Sequence, residues 1–352
     1  MKILVTGGFG FIGSHLVERV AEDRRASVSV VDDLSSSPLP LGQLLREFGA
    51  LVKRLDRYLC TVEDYCAHHA DEPVDAIYHL ASVVGPAGVL PHTGKIVRSI
   101  VDDTYAVVEL ALRHRARLVV VSTSEVYGGG VEGLCAEDMP KIVSPRSSAR
   151  LEYAIGKLAA ETVVINTCQA SSLQACIVRP FNVAGPRQSG KGGFVLPRFV
   201  GRALKGLPLE VFGDGSQLRA FTHVRDIVSG LLLAMERGQP GEVYNLGNPT
   251  NRCSIGELAE AVIRATASSS TILFVDPKKI FGPLYEEASD KFPDASKAMS
   301  RLGWQPITSL DETVRDVTRY FDTLDEVLHT SLGALPEPAM TATDTQTARV
   351  SH

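Results

Sequence analysis

The fold is decided by the opening of the chain, which reads Val5-Thr6-Gly7-Gly8-Phe9-Gly10-Phe11-Ile12-Gly13-Ser14-His15-Leu16. An apolar run at 2–6 predicts a strand, and a helix is predicted at 13–24. Between them, Gly7 permits a tight turn, Gly10 lets the backbone approach a pyrophosphate, and Gly13 lets the helix pack closely on the sheet. The stretch predicts a dinucleotide-binding loop, and its expected cofactor-binding residues are Gly7, Gly10, Phe11, Ile12 and Gly13.

Two acidic residues, Asp32 and Asp33, end the next apolar run, about 20 residues after the loop. A carboxylate at this position accepts hydrogen bonds from the 2′-hydroxyl of an adenosine ribose and repels a 2′-phosphate. Residues 34–45 contain no Lys or Arg that could receive such a phosphate. We therefore expect NAD rather than NADP as the cofactor, bound by Asp32 and Asp33.

Short runs rich in Val, Ile and Leu alternate with helix-like stretches through the first half of the chain. The predicted strands are 2–6, 27–31, 76–80, 118–122 and 175–179, and the predicted helices are 13–24, 99–115 and 151–169. This alternation predicts an α/β fold of the Rossmann type, a doubly wound parallel sheet that is covered on both faces.

After Pro180 the pattern changes to Gly, Pro and short mixed segments, and helices are predicted near 194–205, 224–237, 254–267 and 310–326. These features predict a smaller α+β C-terminal substrate domain. We expect an NAD-binding domain at 1–180, a substrate-binding part at 181–330 and a disordered tail at 331–352.

Composition excludes several classes of protein. The 352 residues carry a net charge of −5, which argues against a nucleic-acid-binding protein. No apolar run approaches the ~20 residues of a membrane helix, and the first strand leaves no room for a signal peptide. The six cysteines are scattered without metal-ligand spacing. We therefore expect reduced thiols, no metal and a cytoplasmic protein.

Two further segments carry groups suited to catalysis. The run at 121–128, Val-Ser-Thr-Ser-Glu-Val-Tyr-Gly, follows a predicted strand, where open α/β sheets bind ligands. Tyr153 and Lys157 lie one turn apart on one face of a predicted helix. A neighbouring ammonium lowers the pKa of a phenol, so Tyr153 is expected to act as a general base for a hydroxyl group.

These segments resemble those of the extended short-chain dehydrogenase/reductase family, in particular its nucleotide-sugar epimerases, dehydratases and decarboxylases. The resemblance runs from residue 2 to about 325. It rests on the glycine loop, His79-Leu80-Ala81-Ser82, the run at 123–128, Tyr153 with Lys157, and the segments 179–186, 212–224 and 302–304.

The resemblance implies that Thr123 holds the sugar 4-hydroxyl, that Tyr153 is the catalytic base, and that Lys157 tunes Tyr153 and binds the nicotinamide ribose. It further implies cofactor contacts at Leu80, Ala81, Ser82, Tyr153, Lys157 and Pro180. It implies substrate contacts at Asn182, Arg187, Phe212, Arg219 and Lys291, as well as a homodimer formed through helices 99–115 and 151–169.

The triplet Thr123-Ser124-Glu125 resembles that of UDP-glucuronate decarboxylases, and so does the segment 285–294, although Lys291 stands where those enzymes have arginine. The resemblance favours decarboxylation of UDP-glucuronate to UDP-xylose or UDP-4-keto-xylose, with Glu125 and Ser124 acting on the C5 substituent. A lysine keeps the charge of the arginine but loses its bidentate fork.

Other interpretations stay open at this stage. The reaction could be 4-epimerisation of a UDP-hexose or UDP-uronate, or 4,6-dehydration, and a non-catalytic NAD sensor belongs to a different class. Glu125 could merely cap its loop or pair with a lysine, and Lys291 could be a solvated surface residue.

Overall fold

The computed structural model describes residues 1–85, 87–128, 133–141, 148–282 and 290–324. In chain order the first half contains β1 (Lys2–Thr6), α1 (Phe11–Ala21), β2 (Ser27–Val31), α2 (Leu41–Phe48), β3 (Leu55–Tyr58), α3 (Val62–His68), β4 (Ala76–His79), α4 (Ile96–His114), β5 (Arg117–Val121), β6 (Leu134–Cys135), α5 (Ala149–Ala170) and β7 (Gln174–Pro180). The second half contains β8 (Val183–Ala184), α6 (Val195–Ala203), β9 (Leu209–Phe212), β10 (Leu218–Ala220), β11 (Thr222–His223), α7 (Val224–Arg237), β12 (Val243–Leu246), β13 (Arg252–Ser254), α8 (Ile255–Thr266), β14 (Ile272–Val275), α9 (Pro277–Phe281), β15 (Phe292–Pro293), α10 (Ser296–Leu302) and α11 (Leu310–Asp322). Short 3-10 helices lie at Gly49–Arg54, Leu90–His92, Ser124–Tyr127 and Gly190–Gly192.

Seven parallel strands form the central sheet of the described chain, in the order β12-β7-β5-β4-β1-β2-β3. One apolar core, which includes residues of α1 and α7, covers one face of the sheet. A second core, which includes residues of α3, α4 and α5, covers the other face. The predicted Rossmann-type fold is thereby confirmed. The strand order reverses between β1 and β4, so a ligand crevice is expected at the carboxyl ends of these two strands.

The predicted strands and helices are all present. The bounds of β1, β2 and α7 match, and the other elements differ at their ends by a few residues. Strands β3 and β12 and helices α2 and α3 were not predicted from the sequence. In β3 only Leu55 is buried, whereas Asp56 and Arg57 are exposed, because this strand is the polar edge of the sheet.

The two parts of the chain interlock. Strand β12 pairs with β7 as the outer strand of the central sheet, and α7 packs on the face that carries α1. A single cut at residue 180 therefore does not separate the two predicted domains. A smaller core lies beyond the sheet and is built from α6, α8, α11 and β9.

Short strand pairs of the second half complete the edge where the site lies. Strand β15 pairs with β6, and β10 pairs with β13. The first of these pairs brings Lys291, which directly precedes β15, towards the carboxyl end of β5. The predicted tail at 331–352 lies outside the described residues. In the described part of the chain, no helix is long and apolar enough to cross a membrane.

Candidate active site

The glycine loop joins β1 to α1 with no space for side chains at two of its positions. A Cβ on Gly7, whose φ is +69°, would lie 2.7 Å from the backbone nitrogen of Ala81. A Cβ on Gly13 would lie 2.0 Å from the carbonyl oxygen of Gly7. Gly10 is the N-cap of α1, and the first turn of this fully described helix has no acidic residue. Its free N–H groups, at Phe11 and Ile12 among others, are therefore suited to receive a pyrophosphate.

Asp32 is fixed at the end of β2, beside the glycine loop. Its Oδ2 accepts a hydrogen bond from the backbone N–H of Phe9 at 2.8 Å, and its Oδ1 accepts one from Leu34 at 2.8 Å. Burial raises the pKa of the Asp32 carboxyl, and these backbone bonds oppose that effect. The neighbouring Asp33 is exposed and accepts hydrogen bonds from the backbone and hydroxyl of Ser35. Of the two predicted ribose ligands, Asp32 is thus the one held against the loop.

The residues after β4 form the opposite wall of the crevice. The backbone N–H of Ala81 donates to the hydroxyl of Thr6 at 3.3 Å, and that hydroxyl is 2.8 Å from Nδ1 of His79. Burial lowers the pKa of His79 to about 3, so its ring is neutral and serves as a packed strand-end residue. Leu80 and Ser82 flank Ala81 in the same loop, as the predicted cofactor contact requires. Together the two walls fit a dinucleotide.

Thr123, Tyr153 and Lys157 come together beyond the end of β5. The hydroxyl of Thr123 is hydrogen-bonded to the phenol of Tyr153. The ammonium of Lys157 donates to the carbonyl oxygen of Val121 at 3.0 Å. Ser148 caps α5 by accepting from Leu151 N–H, and this start of the helix directs Tyr153 and Lys157 towards β5.

The electrostatics of this group differ from the expectation in one respect. Burial lowers the pKa of Lys157 to about 8, against the raising influence of Asp103 and Glu161. Burial also raises the pKa of Tyr153 above its usual range, and the bond from Thr123 lowers it only in part. Lys157 is not among the described groups that shift the pKa of Tyr153, and the cost of burying a phenolate raises this pKa in place of the expected lowering.

Glu125 forms a charge cluster next to Thr123. Nε of Arg150 lies 2.5 Å from Oε2 of Glu125, and Nη2 lies 2.8 Å from Oε1, so the pair is bidentate. The ammonium of Lys291 lies 3.1 Å from the same Oε1. Burial alone would raise the pKa of Glu125, but the two cations lower it to about 2. Ser124 is buried beside Glu125 at the start of the 3-10 helix.

The contacts of Glu125 and the burial of Lys291 bear on the two simpler interpretations of these residues. Glu125 does pair with a lysine, as one of them held, but it also pairs with Arg150, which was not predicted as a site residue. Lys291 is 5 % exposed, so it is not a solvated surface residue.

A second ion pair lies behind the catalytic group. Arg179 on β7 contacts Glu161 on α5 through two hydrogen bonds of 2.8 and 2.6 Å. Glu161 also accepts from the hydroxyl of Ser122, the residue before Thr123. Arg179 donates in addition to the phenol oxygen of Tyr127 at 2.7 Å. The network links the strand end that carries Thr123 to the helix that carries Tyr153.

Asn182 and Arg219 are two of the residues predicted to contact the substrate. Asn182, with φ +37°, follows Pro180 at the end of β7, and its amide donates to the carbonyl oxygen of Ala220 at 3.4 Å. Arg219 on β10 is buried and lies 3.1 Å from Asp290, close to Lys291 in the chain. These two positions face the same edge of the sheet as the cluster at Glu125, and their predicted contact with a diphosphate stays a prediction.

Phe212 and Arg187 occupy different surroundings. The guanidinium carbon of Arg198 lies 3.9 Å from the ring centroid of Phe212, so one face of that ring is stacked. Arg187 is paired with Glu18 at 3.0 Å and with Glu47 at 2.7 Å. Two carboxylates on α1 and α2 thus already balance the charge of Arg187, an arrangement that favours a structural role over its predicted contact with substrate.

Arg150 and Glu161 are two residues of the site that were not predicted from the sequence. Arg150 lies one turn before Tyr153, and Glu161 lies one turn after Lys157, so both belong to the helix face already identified. A buried glutamate next to a strand end requires a cation nearby, and this requirement was a usable signal for Arg150.

The fold and the group at Thr123, Tyr153 and Lys157 fit a cofactor-dependent enzyme, and comparison with known proteins identifies its family. A model of the NAD dependent epimerase/dehydratase family matches residues 3–247, and the chain belongs to that family. It is 31 % identical over 321 residues to the UDP-N-acetyl-alpha-D-glucosaminuronate decarboxylase of Bacillus cytotoxicus, covering 91 % of this chain and 97 % of the relative. It is 35 % identical over 321 residues to UDP-glucuronic acid decarboxylase 1 of Arabidopsis thaliana, covering 89 % and 68 %.

Among solved structures, the chain is similar to the UDP-glucuronic acid 4-epimerase of Bacillus cereus, which was crystallised with UDP-glucuronic acid and NAD. The TM-score is 0.80 at 27 % sequence identity, and the match covers 92 % of this chain and 100 % of the other.

Proposed function

We propose that this chain is an NAD-dependent decarboxylase of UDP-uronates, with UDP-glucuronate as substrate and UDP-xylose or UDP-4-keto-xylose as product. The observation that carries the proposal is the cluster at Glu125, where two cations meet one carboxylate beside the Thr123–Tyr153 pair. The cluster has a net charge of +1, which favours a substrate with a carboxylate at this point. The names of the two relatives described above support the same class of substrate.

The proposed chemistry begins at the sugar C4. Thr123 would orient the 4-hydroxyl, and Tyr153 would take its proton as general base. Bound NAD would supply the acceptor and donor of the C4 hydride and a positive charge beside the Tyr153 phenol. Lys157 would bind the nicotinamide ribose and keep a positive charge behind Tyr153.

A 4-keto group makes the C5 carboxylate a β-keto acid. The C5–carboxyl bond would then break with release of CO2, its electron pair would pass to the 4-keto oxygen as an enolate, and a proton would be taken up at C5. Lys291 would hold the departing carboxylate in place as a single charged donor. Tyr153 would return its proton to the C4 oxygen when UDP-xylose is the product.

A 4-epimerase is the second candidate, favoured by the similarity to the UDP-glucuronic acid 4-epimerase structure. It would need Thr123 and Tyr153 but no loss of the carboxyl group. A 4,6-dehydratase follows it. A non-catalytic NAD sensor is disfavoured, because Thr123, Tyr153 and Lys157 are all in place.

A homodimer formed through α4 and α5 belongs to the same proposal. Tyr105 on α4 is 50 % exposed and Ile155 on α5 is 41 % exposed, and a partner's helices would cover these side chains. Sedimentation at several protein concentrations would test the dimer. The cytoplasmic location stays a prediction.

The test is an incubation of the full chain and NAD with UDP-glucuronate and, in parallel, with UDP-N-acetylglucosaminuronate. Release of CO2 from UDP-glucuronate, with a product lighter by one CO2, is the expected result, and turnover of the N-acetylated substrate alone would contradict the proposed substrate. An unchanged mass with a new 4-epimer would replace the decarboxylase by an epimerase, and no turnover would overturn the uronate proposal.

Tyr153→Phe serves as the control that separates an enzyme from a sensor. The variant should lose turnover and keep its NAD affinity, since the phenylalanine lacks the base but fills the same space. An unaltered rate in this variant would remove Tyr153 from the proposed chemistry.

A further inference from the structure

Arg150 contacts Glu125 in a way that no other described cation does. It lies in the first turn of α5, one turn before Tyr153, and holds both carboxylate oxygens through Nε and Nη2. The side chains of Arg150 and Glu125 are 18 % and 17 % exposed, so the pair is largely shielded from water. A planar guanidinium with two parallel bonds fixes the orientation of a carboxylate as well as its charge.

Lys291 contacts the same carboxylate at one point. Its ammonium lies 3.1 Å from Oε1, an oxygen that Arg150 also contacts. An ammonium on a flexible four-carbon stem can turn to another acceptor without losing its charge, whereas a forked guanidinium cannot turn without breaking two bonds. Of the two cations, Lys291 is therefore the one suited to exchange Glu125 for a carboxylate on the substrate.

We propose that Arg150 is a positioning residue, which fixes Glu125 as an anion next to Thr123 and so leaves Lys291 able to turn towards the C5 carboxylate of the substrate. The inference rests on the proposed function. It assigns Glu125 a role as a fixed counter-charge for Lys291 between turnovers, in place of a group that takes and gives protons.

Removing Arg150 would change the titration of Glu125. The described charged and titratable groups that face Glu125 are Arg150 and Tyr153 on α5 and Lys291 ahead of β15, while Cys135 on β6 faces Lys291. With Arg150 present the pKa of Glu125 is about 2, so the carboxyl stays ionised at every working pH. Without it, burial acts against Lys291 alone, and Glu125 will take up a proton in mildly acidic buffer.

The experiment measures decarboxylation by the full chain with NAD and UDP-glucuronate, from about pH 5 to 8. Arg150→Met should lower kcat by about 100-fold with a much smaller change in KM, because Glu125 and Lys291 lose their orientation. The rate of this variant, normalised to its own maximum, should also fall towards acid pH. The normalised rate of the wild type should not show this fall. The double variant Arg150→Met/Glu125→Gln should lack the added acidic limb, since it has no carboxyl to titrate.

Three controls keep the result interpretable. Arg264→Met removes an exposed arginine that is 70 % accessible and should leave the rate unchanged. NAD affinity and melting temperature show whether Arg150→Met is folded. Arg150→Lys keeps the charge and loses the fork, so it should restore the flat acidic profile but only part of kcat, and it serves as the test if Arg150→Met does not fold.

Wild-type kcat and pH profile in Arg150→Met would overturn the inference while leaving the proposed function intact. So would an acidic limb that persists in the double variant, because that limb would not come from Glu125. If the wild-type chain releases no CO2 from any UDP-uronate, the proposed function fails and the inference falls with it.

Discussion

Replacing Arg179 by methionine would leave the carboxylate of Glu161 in the protein interior without its main counter-charge. The two side chains are 3 % and 2 % exposed and are joined by two hydrogen bonds. After the substitution, Glu161 would keep the hydroxyl of Ser122 as a donor. The phenol of Tyr127 would lose the hydrogen bond that it accepts from Arg179.

The expected cost follows from the burial of the pair. Removing one partner of a buried ion pair destabilises a protein by roughly 3–5 kcal/mol, because the remaining charge has no water to solvate it. For a chain of 352 residues that loss corresponds to a fall in melting temperature of about 4–7 °C. Glu161→Gln should cost a similar amount, since it leaves the guanidinium of Arg179 without its anion.

Thermal melts of the two single variants and of Arg179→Met/Glu161→Gln provide the assay. The double variant should be more stable than the sum of the single effects by about 2 kcal/mol, because neither buried charge remains. Arg264→Met, in an exposed pair, is the matched control and should shift the melt by less than about 1 kcal/mol. Additive single effects, or a shift of Arg179→Met no larger than that control, would refute the reasoning.

Two further predictions concern the glycine loop and two histidines, the partly buried His15 and the buried His79. Gly13→Ala should weaken NAD binding by about 100-fold or prevent folding, because its Cβ would lie 2.0 Å from the oxygen of Gly7. The control Gly42→Ala, on an open helix face, should be neutral or stabilising by roughly 0.5–1 kcal/mol. Titration with NAD and melting curves distinguish the two variants, and equal NAD affinities would contradict the packing argument. Burial lowers the pKa of His15 and of His79 to about 3. Between pH 6.5 and 3, each ring therefore binds a proton in the unfolded chain but not in the native one. The free energy of unfolding consequently decreases as the pH falls through this range. Urea unfolding between these limits should show a pH slope smaller by about 1.4 kcal/mol per pH unit in His15→Asn than in the wild type, and an unchanged slope would show that His15 is protonated in the native chain.

The parts of the molecule that sequence could predict depend on local rules. Parallel strands covered on both faces need continuous apolar runs, and β1 and β2 were found with their correct bounds for this reason. Gly7 and Gly13 were identified because a turn and a close helix contact each exclude a side chain. Strand β3 was missed because a polar edge strand carries no such run.

The candidate site was predictable in its types of residue and less so in its partners. Tyr153 and Lys157 share a helix face, which spacing alone reveals. The partners of Glu125 come from two distant segments, and only the pairing of β15 with β6 places Lys291 beside it. Arg187 was assigned to substrate by resemblance, yet in the fold it is paired with Glu18 and Glu47.

The sequence by itself determined the Rossmann-type sheet, the dinucleotide loop with its acidic residue at Asp32, and the Tyr153–Lys157 pair, because each is encoded within a few consecutive residues or one helical period. Tertiary structure decided the charge state of the site. Burial lowers the pKa of Lys157 to about 8 and raises that of Tyr153, whereas two cations hold Glu125 ionised. Those effects depend on which groups are brought together and on how much water they lose, and both are properties of the folded chain alone.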